Sequence, residues 1–347
     1  MKYGILTFHN IPNIGALLQA QALCVAIRNL GIDCDLIDYT CDNIKKRELI
    51  RLDSSNVFYS LINFLFFWPK TKRKILLCQK YMKDLGLYSA KEYLKNDLIL
   101  LNEDYDAFIS GSDMIWNLEV TGADKSFMCD FASPDKPRFS YGSSIGAKWK
   151  SSDLEDVISL LSQYDAIAVR EQDTCDIIQS FGLKSVLVAD PTMLLSKEYW
   201  QGIAIDTKYS NYVLVYFPSK EIVHAAQVYA KRHGYKVLVI DNGFPRMGYK
   251  QVFPLDPKEW LSLFLTANAV FTNSYHGLLF SLYFNKPVWT ANYGNRIISL
   301  LNKFGLNNIL LQNDKKLCYE IDYANVNKKI ESFRNDSLNY LYSILKK

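Results

Sequence analysis

The sequence predicts an α/β protein made of two Rossmann-like domains, and three observations carry that expectation. Apolar runs of strand length alternate with amphipathic stretches of helix length, the pattern of a parallel sheet covered by helices on both faces. The pattern pauses over the polar residues 202–210 and then starts again. The length of 347 residues also exceeds what one growing hydrophobic core holds, which favours two domains.

In order, YGILTF (3–8) reads as the first strand, followed by a loop with His9, Asn13 and Gly15 and a helix, ALLQAQALCVAIRNLG, ended by Gly31. CDLIDY is the second strand. Residues 45–100 break the rhythm with basic and aromatic helical segments and read as a helical insertion. Strands resume at AFISGS (107–112), RFSYGSS (138–144), AIAVR (166–170) and SVLVAD (185–190), with helices at 153–163 and after Glu171, and Pro191 closes the sheet. The second series is NYVLVYF, helix 220–233, KVLVID, helix 257–267, AVFTN, helix 275–284, PVWTAN and helix 296–304. The expected domains are therefore 1–195 and 196–325, with a helical tail at 326–347 that packs against either one.

Composition narrows the function classes. A hydrophobic fraction of 49% and a charged fraction of 22% are those of a folded soluble protein. Forty Lys and Arg against thirty-six Asp and Glu leave a net charge of +4, too little to bind nucleic acid by bulk electrostatics. The seven cysteines are scattered and form no CxxC pair, which argues against a disulfide framework or a zinc site. MKYGILTFHN is too short for a signal-peptide core and leads into a glycine-containing loop, so a cytoplasmic protein is expected.

Ligands of open α/β sheets bind beyond the carboxyl ends of the strands, and the residues there carry the candidate chemistry. In TNSYHGLLFS (272–281) a strand runs into a helix through Ser274, Tyr275, His276 and Gly277. Small and polar residues at such a turn present backbone N–H groups and the positive helix end to an anion. His276 could donate a proton there; alternatively, Ser274 caps the helix and His276 bonds a carbonyl. Arg170 could hold a carboxylate or phosphate by two parallel hydrogen bonds, or pair with Glu171 or Asp173. Arg296 opens a helix, where the dipole disfavours a cation, which points either to a bound anion nearby or to an ordinary solvated arginine. In GSDMIWN (111–117), Asp113 is a general base or a helix cap, the cap being preferred on position alone, and Trp116 offers a ring to a sugar face beside Asn117. No GxGxxG follows Gly15, so nicotinamide and flavin chemistry have no support.

Taken together, TFHNIPNIGALLQAQAL, SGSDMIWN, SYGSSIG, AVREQDT, ADPTMLL and TNSYHGLLFSLYFNKP resemble the polysaccharide pyruvyl transferase family, over nearly the whole chain. The resemblance implies a GT-B-like two-domain fold, phosphoenolpyruvate as donor, a saccharide acceptor and no metal or further cofactor. It also implies a catalytic His276 and a donor-binding Arg170 at the matching positions, while their places beyond the strand ends assign Ser274, Tyr275, Gly277 and Arg296 to the donor as well. His9, Asn13, Gly15, Asp113, Trp116 and Asn117 then fall on the acceptor side. Relatives carry an arginine two positions before the histidine, where this chain has Ser274; either another cation such as Arg296 supplies the charge, or this branch binds its donor differently. A nucleotide-sugar glycosyltransferase and a non-catalytic subunit of polysaccharide assembly are the rival readings. Finally, the apolar segment Val57 to Trp68 precedes Lys70, Lys72, Arg73 and Lys74. It either lies in an anionic membrane interface, suiting a lipid-linked acceptor, or packs on the first domain, which is the preferred reading.

Overall fold

The computed structural model describes residues 1–49, 68–241, 247–311, 317 and 320–346. Two compact units emerge. Of the described residues, the first holds 1–49, 75–195 and 332–346, and the second holds 68–74 and 196–331.

The first unit is a seven-stranded parallel sheet. Its strands are β1 (Lys2–Leu6), β2 (Asp33–Tyr39), β3 (Tyr88–Tyr93), β4 (Ala107–Ser110), β5 (Arg138–Ser143), β6 (Ala166–Val169) and β7 (Val186–Leu187), in the order β3-β2-β1-β4-β5-β6-β7. Helices cover both faces, so the central strands are apolar without alternation, with Ile5, Phe108, Ile109, Ala168 and Val169 fully enclosed. Ile5 lies level with Leu36 on one side and Ile109 on the other. The polar residues of β5 are satisfied in place: Ser140 Oγ donates to Ala168 O and Ser143 Oγ to Ser110 O.

Within the expected helical insertion, the described part holds the helix Trp68–Asp84 and then the edge strand β3. YSAKEY read as helical because Lys91 and Glu92 break any apolar run. On an edge, such exposed charges are compatible with pairing and block a further strand. The segment Val57 to Phe67, and with it the membrane-interface reading, lies outside the described residues.

The second unit is a five-stranded parallel sheet of β8 (Tyr212–Tyr216), β9 (Lys236–Ile240), β10 (Lys250–Val252), β11 (Ala269–Thr272) and β12 (Val288–Trp289), in the order β10-β9-β8-β11-β12. Its helices start where side chains can cap them. Ser219 Oγ accepts from Ile222 N at the Lys220–His233 helix, and Asp256 accepts from Glu259 N at the Pro257–Thr266 helix, which has proline in its first turn. Each unit has its own core, the first built around Phe8, Phe108, Trp116 and Phe127, the second around Val215, Val239, Phe271 and Trp289. β10 has no counterpart in the sequence reading, because three residues are too few for a recognisable apolar run.

Candidate functional site

The reversal of strand order around β8 brings β11 beside it, with Val215 level with Phe271 and Thr272 level with Tyr216. β11 delivers the chain into the helix Tyr275–Tyr283, every residue of which is buried. Ser274 is its cap: the hydroxyl accepts from Gly277 N at 3.3 Å, while Ser274 N donates to Thr272 Oγ1 at 3.1 Å. A side chain at position 277 is excluded by packing, since a Cβ would stand 2.5 Å from Thr272 Oγ1 and 2.9 Å from the Tyr216 ring. Gly277 therefore lets this helix end press against the sheet. His276 occupies the first turn and is 8% exposed.

Asn273 joins this turn to its neighbours. Its side chain accepts from Ala291 N (3.0 Å) and donates to Ser219 Oγ (3.3 Å), and its carbonyl accepts from Asn292 Nδ2 (2.8 Å). The Asn292 side-chain Oδ1 accepts from Gly294 N (2.8 Å), at the mouth of the Asn295–Phe304 helix, and Arg296 lies in that helix's first turn. The loops after β8, β11 and β12 are thus one hydrogen-bonded assembly. Neither the His276 helix nor the Arg296 helix has an acid in its own first turn, a composition compatible with an anion at a positive helix end. Two aromatic residues at this end of the sheet were missed from sequence. Phe217, 53% exposed, holds a left-handed φ of 56°, and Tyr293 is 55% exposed. A bulky side chain in that backbone region is an outlier, costing on the order of 1 kcal/mol and concentrated at functional sites. Phe217 read simply as the last residue of a strand.

In the first unit the structure gathers Asp113, Arg170 and Glu171 with Asp190. The Arg170 guanidinium is wholly buried and reaches Asp190 Oδ2 at 2.8 Å, Asp113 Oδ1 at 2.9 Å and Glu171 Oε1 at 3.4 Å. Of the two roles weighed for Arg170, the geometry is that of the ion pair, extended to three carboxylates. Asp113 is not a helix cap: Oδ1 accepts from Met114 N (2.9 Å), and Asn117 caps the short helix Leu118–Thr121 by accepting from Glu119 N and Val120 N. Trp116 is 0% exposed, with its ring N–H donated to Phe127 O. Stacking of that ring on a sugar is thereby corrected: the loop turns it inward to fill the core. Gly111 shapes this loop, because at a φ of 142° a Cβ would lie 2.1 Å from Tyr141 O.

His9 is 1% exposed; Nδ1 faces Thr7 O (2.9 Å), Nε2 faces Asp38 Oδ1 (3.2 Å), and the Tyr88 ring lies 5.1 Å away. Burial, reinforced by the charge of Asp38, pushes the Tyr88 phenol up. Asn13 is exposed at the start of the Ile14–Asn29 helix without capping it through its side chain, and Gly15 is buried in the first turn.

The pattern of the polysaccharide pyruvyl transferase family matches residues 13–295. The chain belongs to the polysaccharide pyruvyl transferase family. The matched span takes in every candidate position except His9 and Arg296. Among curated proteins no match was found. Solved structures similar to this family member include UDP-GlcNAc 2-epimerase from Methanocaldococcus jannaschii in complex with UDP-GlcNAc and UDP. It is 12% identical over 100% of this chain and 99% of that one, with a TM-score of 0.51. UDP-GlcNAc 2-epimerase from Neisseria meningitidis bound to UDP-GlcNAc is 10% identical over 100% and 93%, with a TM-score of 0.51. An alpha-glucosyltransferase in complex with UDP and a 13-mer DNA is 11% identical over 99% and 95%, with a TM-score of 0.50. At such identities the likeness is one of fold: this pyruvyl transferase family member has the α/β fold with two parallel sheets of GT-B epimerases and glucosyltransferases.

Proposed function

We propose that this chain moves the pyruvyl group of phosphoenolpyruvate onto two hydroxyls of a saccharide, forming a ketal and releasing phosphate in bacterial surface polysaccharide synthesis. The observation that supports it is the His276 turn, a titratable ring at an acid-free helix end, tied by Asn273 and Asn292 to the loop that leads to Arg296. A dianionic phosphate and a carboxylate need fixed positive ends and a cation, and the chemistry needs a proton at carbon.

His276 gives its proton to the methylene carbon, which becomes the methyl group. The phosphate-bearing carbon turns oxocarbenium-like, stabilised by the nearby backbone dipoles. An acceptor oxygen bonds to it as that hydroxyl's proton passes to a base. The second hydroxyl then closes the ketal as the C–O bond to phosphate breaks. Of the two hydroxyl protons, one replaces that spent at the methyl carbon and the other leaves on hydrogen phosphate. Donor contacts go to Ser274, Tyr275, Gly277 and Arg296; acceptor contacts go to His9, Asn13, Gly15 and the Asn117 loop. Within the first unit, Arg170 positions Asp113 through their 2.9 Å ion pair. The proposal includes a cytoplasmic protein whose acceptor is carried on lipid; among the described residues no helix is long and apolar enough to cross a membrane.

The test is turnover in D2O with phosphoenolpyruvate and candidate saccharides. Phosphate should be released and the ketal methyl should carry one deuterium by mass spectrometry. His276→Gln should cut turnover by about 100-fold or more while leaving Tm within about 2 °C. Turnover at the parent rate would return His276 to a structural role. Thermal protection by a nucleotide sugar and not by phosphoenolpyruvate would make the chain a glycosyltransferase. No phosphate release with any acceptor would make it a non-catalytic subunit.

A further inference from the structure

The second unit carries another cleft, at the opposite end of the same strands from His276. It opens at the starts of β8, β9 and β10, beside the carboxyl end of the Lys220–His233 helix, and encloses about 720 Å³. That volume lies within the range of about 300–1,000 Å³ typical of ligand sites. Four of its fourteen lining residues are lysines and four are tyrosines, and none is acidic. In a chain with 40 basic and 36 acidic residues, a lining with four ammonium groups and no carboxylate is a local excess of one sign. Among the described residues, none of these four lysines is paired with a carboxylate. Clefts of one sign concentrate counter-charged ligands.

The rings are disposed as surfaces. Tyr209, Tyr235 and Tyr249 are half-buried, whereas Tyr212 is withdrawn into the core, its hydroxyl bonded to Leu263 O. Lys208 and Lys250 stand 5.6 and 5.0 Å from the centre of the Tyr209 ring, so charge and aromatic face are presented together. A flat ring with a hydroxyl at its edge suits the C–H face and the hydroxyls of a pyranose. An ammonium beside it suits a carboxylate carried on the same sugar.

We infer that this cleft binds a carboxylate-bearing stretch of saccharide, away from the site of chemistry. The choice of saccharide over other polyanions rests on the pyruvyl-transfer reading, because a pyruvate ketal keeps its carboxylate free and each modified sugar gains one negative charge. Glycan that has already been modified would be retained by the cleft while unmodified sugars are presented to the His276 end.

Calorimetric titration with oligogalacturonate, neutral malto-oligosaccharide of equal length, inorganic polyphosphate and single-stranded RNA tests the assignment. Oligogalacturonate should bind at least about tenfold more tightly than the neutral chain, and more weakly as salt rises. The double variant Lys208→Glu, Lys250→Glu should weaken it by about tenfold or more with Tm unchanged. Tyr209→Ala should weaken it too, and His276→Gln should bind as the parent does. Unchanged binding in the lysine variant, equal binding of the neutral chain, or tighter binding of RNA or polyphosphate would overturn the inference. These titrations need no turnover. If phosphoenolpyruvate is not used but lysine-dependent oligogalacturonate binding persists, the reaction assignment fails and the cleft stands; active enzyme without such binding gives the reverse.

Discussion

Asp124 shows how a single carboxylate in this chain is controlled. Burial pushes its carboxyl up, but the hydrogen bond from Tyr39, the N–H of Ser126 and Lys95, 3.2 Å away, outweigh this and hold it below the ordinary value. Burial raises the Tyr39 phenol, and its bond to Asp124 raises it further, so it stays a donor at neutral pH. A carboxylate whose folded value is depressed adds stability above its unfolded value of about 3.9 and loses it as pH falls through the folded value. Tyr39→Phe removes one donor to a buried charge, at a cost of about 1–3 kcal/mol near pH 7. In denaturant unfolding the gap between variant and parent should be full at pH 7 and 5 and should shrink below about pH 4. A gap that stays constant to pH 3 would show that lost packing, and not the charge, is responsible.

At the level of elements, Arg170 acts as a clasp. It follows β6, and its partners Asp113, Glu171 and Asp190 come from the chain after β4, β6 and β7, so one guanidinium joins three strand ends. Ser144 and Thr174 bond Glu171, and Thr192 bonds Asp190, completing the satisfaction of the group. An ammonium cannot reach three carboxylates from one plane, and leaving buried carboxylates short of partners costs about 3–5 kcal/mol. Arg170→Lys should therefore lower the denaturant midpoint clearly, while KM for phosphoenolpyruvate in the folded fraction stays within about twofold. A preserved Tm with a raised KM would identify a direct grip on the donor.

For the whole molecule, the final helix Tyr323–Leu345 is divided in its service. Its start belongs to the second unit, where Val326 and Ile330 are buried and Lys329 Nζ donates to Phe304 O. Its remainder belongs to the first, where Ser337 Oγ accepts from Ala189 N (2.9 Å) and Leu345 O accepts from the Tyr3 hydroxyl (2.6 Å). Leu341 and Ile344 are buried there. Truncation after Glu331 strips those partners from β1 and from the strand end after β7. Hydrogen exchange should show lost protection in Tyr3–Leu6 and Val188–Ala189 but parent-like protection in Tyr212–Tyr216. Equal loss in both regions would show that the two cores unfold as one.

Local pattern determined the α/β class, the position of ten of the twelve strands and the turn at Ser274–Gly277, because buried parallel strands are continuous apolar runs and strand ends are marked by small polar residues. It did not reveal β3 and β10, whose edge positions demand little apolar character. Nor could it decide among roles that depend on partners distant in sequence. Arg170 meets Asp113 across fifty-seven positions, and Trp116 faces inward only because Phe127 O and the surrounding core receive it. The lysines and tyrosines of the second cleft are likewise spread from residue 208 to 250. Charge and ring types are written in the sequence, but their convergence on one surface depends on which strand starts lie side by side, and only the folded sheet decides that.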